Sequence, residues 1–336
     1  MKNKESILIF LCILSLILIG CTGGGNTRNN PITQTDLRVG FEGIVLQFTK
    51  NAPPDRIFQE TKFPIGIVIK NKGASDVTSV KKEGSDETPL GEGFFVLGFE
   101  KAYVDIDKDE KRENPRNFKI KGKSIFNING DEEFIELKGK TKKVGSQSET
   151  HPSTIQATAC YPYQTILGTS ACIDTDVYGE NLRKKSCNVK DLIFQSGQGA
   201  PVTITKIETI IPPHADINTI EPHFVIHIEN KGNGEVVSKE KIKDVCSNTA
   251  LNYKDFNKLN IRASLSNIEL NCDVKGGKAG ETEVWLREKK DIVRCTLKEG
   301  IQIKQDAYMA PLKIELDYGY TYTLSKNIII ERILEY

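Results

Sequence analysis

The chain has 336 residues, 38% of them hydrophobic and 27% charged, which is enough apolar material for a sizeable core and a length typical of about two domains. Lys+Arg 46 against Asp+Glu 45 leaves a formal charge of +1, and loss of residues 1–20 would remove Lys2, Lys4 and Glu5 and bring the chain to neutrality. A neutral chain has no global field to gather nucleic acid or an anionic surface, so nucleic acid is set aside as a partner.

The N-terminus places Lys2 and Lys4 ahead of an apolar run, Ile7 to Ile19, that closes on Gly20. The run falls short of the roughly 20 apolar residues that span a bilayer and has the layout of a secretory leader. Leu18-Ile19-Gly20-Cys21 resembles the cleavage pattern of bacterial and archaeal lipoproteins, and that resemblance implies a thioether-linked lipid on Cys21. Each buried methylene is worth about 0.8 kcal/mol, so two acyl chains anchor firmly where one is marginal. Residues 23–30, Gly-Gly-Gly-Asn-Thr-Arg-Asn-Asn, read as a flexible tether that holds the folded part off the membrane. The expected location is extracytoplasmic, lipid-anchored to the outer face of the cytoplasmic membrane.

Past the tether the pattern is period two almost throughout, as in strands with one wet face. Leu37, Val39 and Phe41 alternate with polar residues, Ile44, Leu46 and Phe48 resume beyond Gly43, and Pro53-Pro54-Asp55 breaks the run. Phe63-Pro-Ile-Gly-Ile-Val-Ile-Lys-Asn-Lys-Gly73 has a counterpart in Pro222-His-Phe-Val-Ile-His-Ile-Glu-Asn-Lys-Gly232. Aligning Asn71 with Asn230 sets Ile65, Ile67 and Ile69 on Phe224, Ile226 and Ile228, so the two halves read as one fold used twice. Asparagine and glycine suit turn positions of positive φ. Helical periodicity is confined to Lys239–Asn257. Near the C-terminus Leu312, Ile314, Leu316, Tyr318, Tyr320, Tyr322 and Leu324 share one face, opposite Lys313, Glu315, Asp317, Thr321, Thr323 and Ser325. This predicts either one long bent strand or a hairpin around Asp317 to Tyr320.

The strand ending in Asn-Lys-Gly resembles those of CARDB-like and other immunoglobulin-like surface modules. Ala159-Cys-Tyr-Pro-Tyr-Gln-Thr165, Cys172-Ile-Asp174, Cys187, Ser196-Gly-Gln-Gly-Ala-Pro-Val202 and Leu316-Asp-Tyr-Gly-Tyr320 together resemble a family of uncharacterised archaeal cell-surface lipoproteins. The resemblance implies an extracytoplasmic β-rich protein and brings no established activity. The expected architecture is all-β. A leader over 1–20 and a lipidated cysteine with its linker over 21–35 precede two immunoglobulin-like β-sandwich domains in tandem, 36–158 and 199–336, joined by a disulfide-bearing segment, 159–198.

Of eight cysteines, Cys12 lies in the leader and Cys21 in the lipidation motif. Cys160, Cys172, Cys187, Cys246, Cys272 and Cys295 remain, and an even number in an exported chain reads as a disulfide set whose connectivity the sequence leaves open. Pairing of sequence neighbours is favoured, Cys160 with Cys172, Cys187 with Cys246 and Cys272 with Cys295. No C-x-x-C spacing suggests zinc.

Other chemistry is thin. His223 and His227 would be about 13 Å apart on a strand, too far to share a metal, and His151 and His214 stand alone in the sequence. Asp105, Asp107 and Asp109 have the spacing of a calcium loop's start, but Glu110 and Arg116 occupy the positions where that loop needs glycine and a bidentate carboxylate. Gly197-Gln-Gly199 could cradle an anion but precedes a strand rather than a helix. Lys119-Ile-Lys-Gly-Lys123 and Lys138-Gly-Lys-Thr-Lys-Lys143 read as solvated faces, and Trp285, the only tryptophan, fits a core or an interface equally. The expected role is therefore non-catalytic, without metal or cofactor: binding, adhesion or envelope structure, with another envelope or surface protein as partner besides the membrane. The alternative is a solute- or glycan-binding lipoprotein that serves a transporter.

Overall fold

The computed structural model describes residues 37–79, 90–106, 115–176, 184–213, 218–247, 249, 251–274, 282–304 and 306–333. Strands of the first half are β1 (Ile44–Phe48), β2 (Arg56–Phe58), β3 (Lys62–Asn71), β4 (Gly93–Phe99), β5 (Val104–Ile106), β6 (Arg116–Phe118), β7 (Glu132–Thr141) and β8 (Thr150–Asp174). The second half contributes β9 (Leu192–Ile193), β10 (Val202–Ile210), β11 (Thr219–Ile220), β12 (His223–Asn230), β13 (Glu235–Val237), β14 (Lys258–Leu265), β15 (Ile268–Glu269), β16 (Asn271–Asp273), β17 (Glu283–Trp285), β18 (Lys290–Thr296), β19 (Ile301–Gln302) and β20 (Ala307–Glu331). A five-residue helix, α1 (Ile242–Cys246), lies between β13 and β14. The described residues are all-β in class, and two short 3-10 turns lie beside this helix.

Alternation decides the strands. In β3, Phe63, Ile65, Ile67 and Ile69 are buried, and in β12 Phe224, Ile226 and Ile228 are buried at the matching places. β8 and β20 are each 25 residues long and pair antiparallel over their whole length, a ladder of about 80 Å. The C-terminal alternation is thus a single strand, not a hairpin at Asp317. Pro162 sits in β8 just past the last pair with β4, Phe94 with Cys160, where its missing N–H interrupts no ladder on that side.

The long pair is the centre of a nine-stranded sheet ordered β15-β14-β20-β8-β4-β6, with β2, β13 and β17 attached beside it. A four-stranded sheet, β1-β3-β7-β5, and a five-stranded sheet, β16-β18-β12-β10-β9, supply the opposing layers. Their inward side chains join one continuous core that contains Ile67 and Ile135 of the first, Ile226 and Val293 of the second, and Ile155, Ala157, Ile314 and Leu316 of the long strands. The described residues belong to one compact unit, and β8 crosses the expected boundary at 158/159 without a break.

The duplication read from Asn71 and Asn230 extends to individual atoms. Pro162 faces Gly319 at the midpoint of the long ladder, flanked by the pairs Tyr161–Tyr320 and Tyr163–Tyr318. Tyr163 donates its hydroxyl to Asn71 Oδ1 at 2.9 Å, and Tyr320 donates to Asn230 Oδ1 at 3.1 Å. Asn71 Nδ2 donates to Ser75 O and Asn230 Nδ2 to Gly234 O. Tyr161 accepts from Ile44 N at the start of β1, and Tyr318 accepts from Val202 N at the start of β10.

The two turns do not use positive φ at these residues, contrary to the expectation from sequence. Asparagine is there for its side chain, which closes the turn by accepting from Gly73 N or Gly232 N while also holding a tyrosine. Glycine is there for close approach: a Cβ on Gly73 would run into Tyr163 Oη and the Gly199 carbonyl, and one on Gly232 into Tyr320 Oη.

Two outcomes are expected. Tyr163→Phe and Tyr320→Phe should each cost about 1–3 kcal/mol, because each removes a buried hydroxyl from a satisfied network, and the cost should be similar at both places; the denaturant midpoint at unchanged slope measures it. Burial also pushes the Tyr161, Tyr163 and Tyr318 phenols up, and Tyr320 up to about 12. Unfolded tyrosines ionise near about pH 10, so the unfolded chain sheds these protons first. The stability that these phenols contribute should be level below about pH 10 and be lost as pH rises toward about 12. In an alkaline absorbance titration these four phenolates should appear only with the unfolding transition.

Candidate interaction surface

Cys21 and the leader lie outside the described residues, as do Asp107, Asp109 and His214. The six remaining cysteines form three disulfides: Cys160–Cys246, Cys172–Cys187 and Cys272–Cys295. The last matches the sequence-neighbour expectation and joins β16 to β18 across the register pair Cys272–Cys295. The other two correct it. Cys160 and Cys172 both sit on β8, where twelve residues of extended chain separate them by about 40 Å. Each therefore bonds to what covers the outer face at its own level: α1 for Cys160, and the loop before β9 for Cys172.

Cys160 and α1 build a small second core on that outer face. Cys160, Val237, Ile242 and Cys246 are buried together, with Phe94, Val96, Val245 and Phe256 packed around them. The weak helical signal over 239–257 thus corresponds to one short helix with its flanking turns.

The three described histidines are strand residues. His223 and His227 lie on β12, where Glu221 is 3.5 Å from the first ring and Glu208 is 3.0 Å from the second. Lys206 and His227 hydrogen bonds hold the Glu208 carboxyl below its ordinary range. His151 stacks on Tyr103 at 3.5 Å and meets Glu100. Asp105 lies on β5. Among the described residues no three His, Cys, Asp or Glu side chains converge on a point where a metal ion could sit.

Gly197-Gln-Gly199 is a structural joint. Both glycines have positive φ. The buried Gln198 side chain accepts from Ile204 N at 2.9 Å and donates to Ile204 O at 3.1 Å. Gly199 N donates to Gly40 O and Gly199 O accepts from Ala74 N, so the Gly199 amide is engaged within the fold.

The surface with most recognition chemistry is the outer face of the large sheet beyond α1. Register sets Glu283 of β17 beside Asn260 of β14, Asn260 beside Asp317 of β20, and Asp317 beside Gln164 of β8. Gln164 Nε2 and Arg262 each donate to Asp317 at 2.9 Å, Arg262 reaches Glu315 at 3.3 Å, and Lys258 pairs with Glu283 at 2.8 Å. These ties fix long side chains in place and lower the entropy that a partner's docking would remove.

Trp285 lies two residues along β17 from Glu283, opposite Lys258. Its neighbours Val284 and Leu286 are buried, but Trp285 is 41% exposed and lies near Tyr253, itself 68% exposed, at a ring separation of 6.4 Å. Of the two roles open to Trp285 from sequence, the core is thereby excluded. Tyr253 and the Arg262–Asp317–Gln164 row escaped sequence reading. The only available signal was the outward alternation Lys313, Glu315, Asp317, which says exposed but not organised.

Two depressions are polar. One of about 520 Å³ is lined by Lys70, Lys119, Asn127, Asp131 and Glu132 among others, and one of about 210 Å³ by Lys239, Glu240, Lys258, Asn260, Glu283 and Asp317. Small-molecule sites are mostly apolar and enclosed. The second depression lies on the sheet face that also carries Arg262 and, at its edge, the exposed Trp285 and Tyr253, residue types enriched at protein contacts.

The disulfide assignment is directly testable. Peptide mapping without reduction should recover Cys160 linked to Cys246 and Cys172 linked to Cys187, and a peptide joining Cys187 to Cys246 would contradict the arrangement of the outer face. Compared with models of known protein families and with curated proteins, the chain matches none.

Proposed function

We propose that the chain is an extracytoplasmic lipoprotein, held at the membrane by a lipid on Cys21, with a non-catalytic role in binding another envelope or surface protein. Its sheets then correspond to two immunoglobulin-like sandwiches in tandem, of the kind found in CARDB-like surface modules, and the face around Trp285 and Arg262 is the contact surface. The observation that carries this reading is the pairing of all six cysteines outside the leader and lipidation motif into disulfides. Such pairing is rare where glutathione and thioredoxin keep thiols reduced and common outside the cytoplasm. The rigid all-β frame and the open polar face support a binding role over a ligand-enclosing one.

In-cell crosslinking tests it. A photoreactive residue at position 285, with the protein fractionated and its intact mass taken, should give a membrane-bound product that begins at a lipid-modified Cys21 and is joined to an envelope protein. A product that retains residues 1–20, or is free in the cytosol with reduced thiols, would overturn the anchoring. Recovery of a transporter at that position would overturn the adhesion role.

A further inference from the structure

The turn at Ser124–Asn127 breaks a local rule. Ser124 N donates to Asn127 O at 2.9 Å and Asn127 N to Ser124 O at 3.0 Å, closing a two-residue turn with Ile125 and Phe126 at its tip. Such positions ordinarily take Gly, Asn, Asp or Ser. Here Phe126 is 94% exposed, Ile125 53% and Ile128 51%. Neither Ile125 nor Phe126 has positive φ, so the backbone accepts them; what is unusual is their exposure, which brings no packing gain in the chain's own fold, and such departures concentrate at functional or strained positions.

The tip does not stand on a loose loop. Asn127 Nδ2 donates to Asp131 Oδ1 at 2.8 Å, Asp131 N donates to Lys121 O at 3.0 Å, and Gly122 N donates to Asp76 Oδ1 at 2.8 Å. Two apolar side chains are thus presented to solvent on a fixed stem, with Lys121 and Lys123 at its base.

Its place in the fold says what it meets. The described chain begins at Leu37, and Gly40 O accepts from Gly199 N at 2.9 Å. Gly199 O in turn accepts from Ala74 N at 2.8 Å, and Gly73 O accepts from Lys123 N at 2.8 Å. Three hydrogen bonds therefore connect the point where the chain joins the fold to the base of the Ile125-Phe126 turn. Fully extended, the stretch from Cys21 to Leu37 spans at most about 55 Å, so an anchor on Cys21 leaves this edge within reach of the bilayer surface.

We propose that Ile125 and Phe126 form a membrane-docking tip that inserts into the lipid interface and lays this edge of the fold on the membrane that carries Cys21. The proposal rests on the lipoprotein reading for its anchor. The occupant is a lipid surface. Phenylalanine and isoleucine partition into the headgroup–acyl boundary, and lysines at the base meet phosphate. Alone, two inserted side chains bind weakly and reversibly, but the anchor turns insertion into an intramolecular step at millimolar effective concentration.

The single tryptophan makes the test site-specific. Two proteins are compared, the native chain, which reports from Trp285, and F126W on a W285F background, with I125W on the same background as a second reporter should the first misfold. Vesicles of phosphatidylcholine and phosphatidylglycerol with brominated acyl chains quench tryptophan on contact. Each protein is presented in two ways: made with its leader in a lipidating host, or starting at Thr22 behind a histidine tag held on nickel-chelating lipid. Emission from the F126W protein should be largely lost in both formats, with Trp285 unaffected, and the tag-free double variant I125D/F126D should partition onto vesicles roughly tenfold less than the unsubstituted chain.

Unchanged F126W and I125W emission on the nickel-lipid vesicles would overturn the docking tip whatever anchors the native protein, and would leave the turn as a protein contact. Quenching there, with intact mass showing no lipid on the host-made chain, would support the tip and refute the anchor instead.

Discussion

The fold depends on the antiparallel ladder between β8 and β20. Every other large element is positioned by it: β4 and β14 extend it sideways, and the two smaller sheets close its inner face. A pair of uninterrupted 25-residue strands is a stiff but featureless beam. What gives it a defined centre is the cluster of Tyr161, Tyr163, Tyr318 and Tyr320, whose rings touch one another and whose hydroxyls reach into both smaller sheets. Burial of four phenols in an otherwise aliphatic core is tolerable only because each has a partner, and the partners are the Asn71 and Asn230 turns and the first residues of β1 and β10. Register slippage by two residues would keep the inward faces inward yet orphan all four hydroxyls, so the tyrosines set the register that alternation alone leaves free.

Much of this was legible in the sequence because it is local. Period-two patterning gave β3, β12 and β20, and the recurrence of Asn-Lys-Gly gave the duplication. The rest was not legible, because it depends on which strands become neighbours. Nothing in the run Ala159 to Asp174 distinguishes a connecting segment from the second half of a long strand, and only that distinction decides whether Cys160 can reach Cys172. The meaning of Asn71 was likewise hidden. Its residue type is the same whether it supplies a backbone angle or a side-chain acceptor, and the choice is made by Tyr163, 92 positions away.

Recognition chemistry was the least legible part. The outer row of Gln164, Arg262 and Asp317 is drawn from three strands far apart in sequence. Its members look like ordinary solvent-facing residues until pairing sets them side by side. Trp285 and the Ile125-Phe126 turn are better placed for sequence reading, since a lone tryptophan beside buried neighbours and an apolar pair in a tight turn are both locally odd. Their oddness is visible in the sequence, while the geometry shows that both are exposed.

The midpoint at Pro162 and Gly319 has a consequence for how such a chain could arise. Each long strand spends half its length in the company of its own repeat and half beside the other, so a single repeat would present the free half of its strand as a long unpaired edge. Such an edge is satisfied most simply by a second identical copy, related by rotation about that same midpoint. The architecture therefore carries, within one chain, the internal two-fold pairing of a homodimer, and because its halves are covalently joined they are free to differ: one bears the Ile125-Phe126 turn and the other the aromatic pair Tyr253 and Trp285.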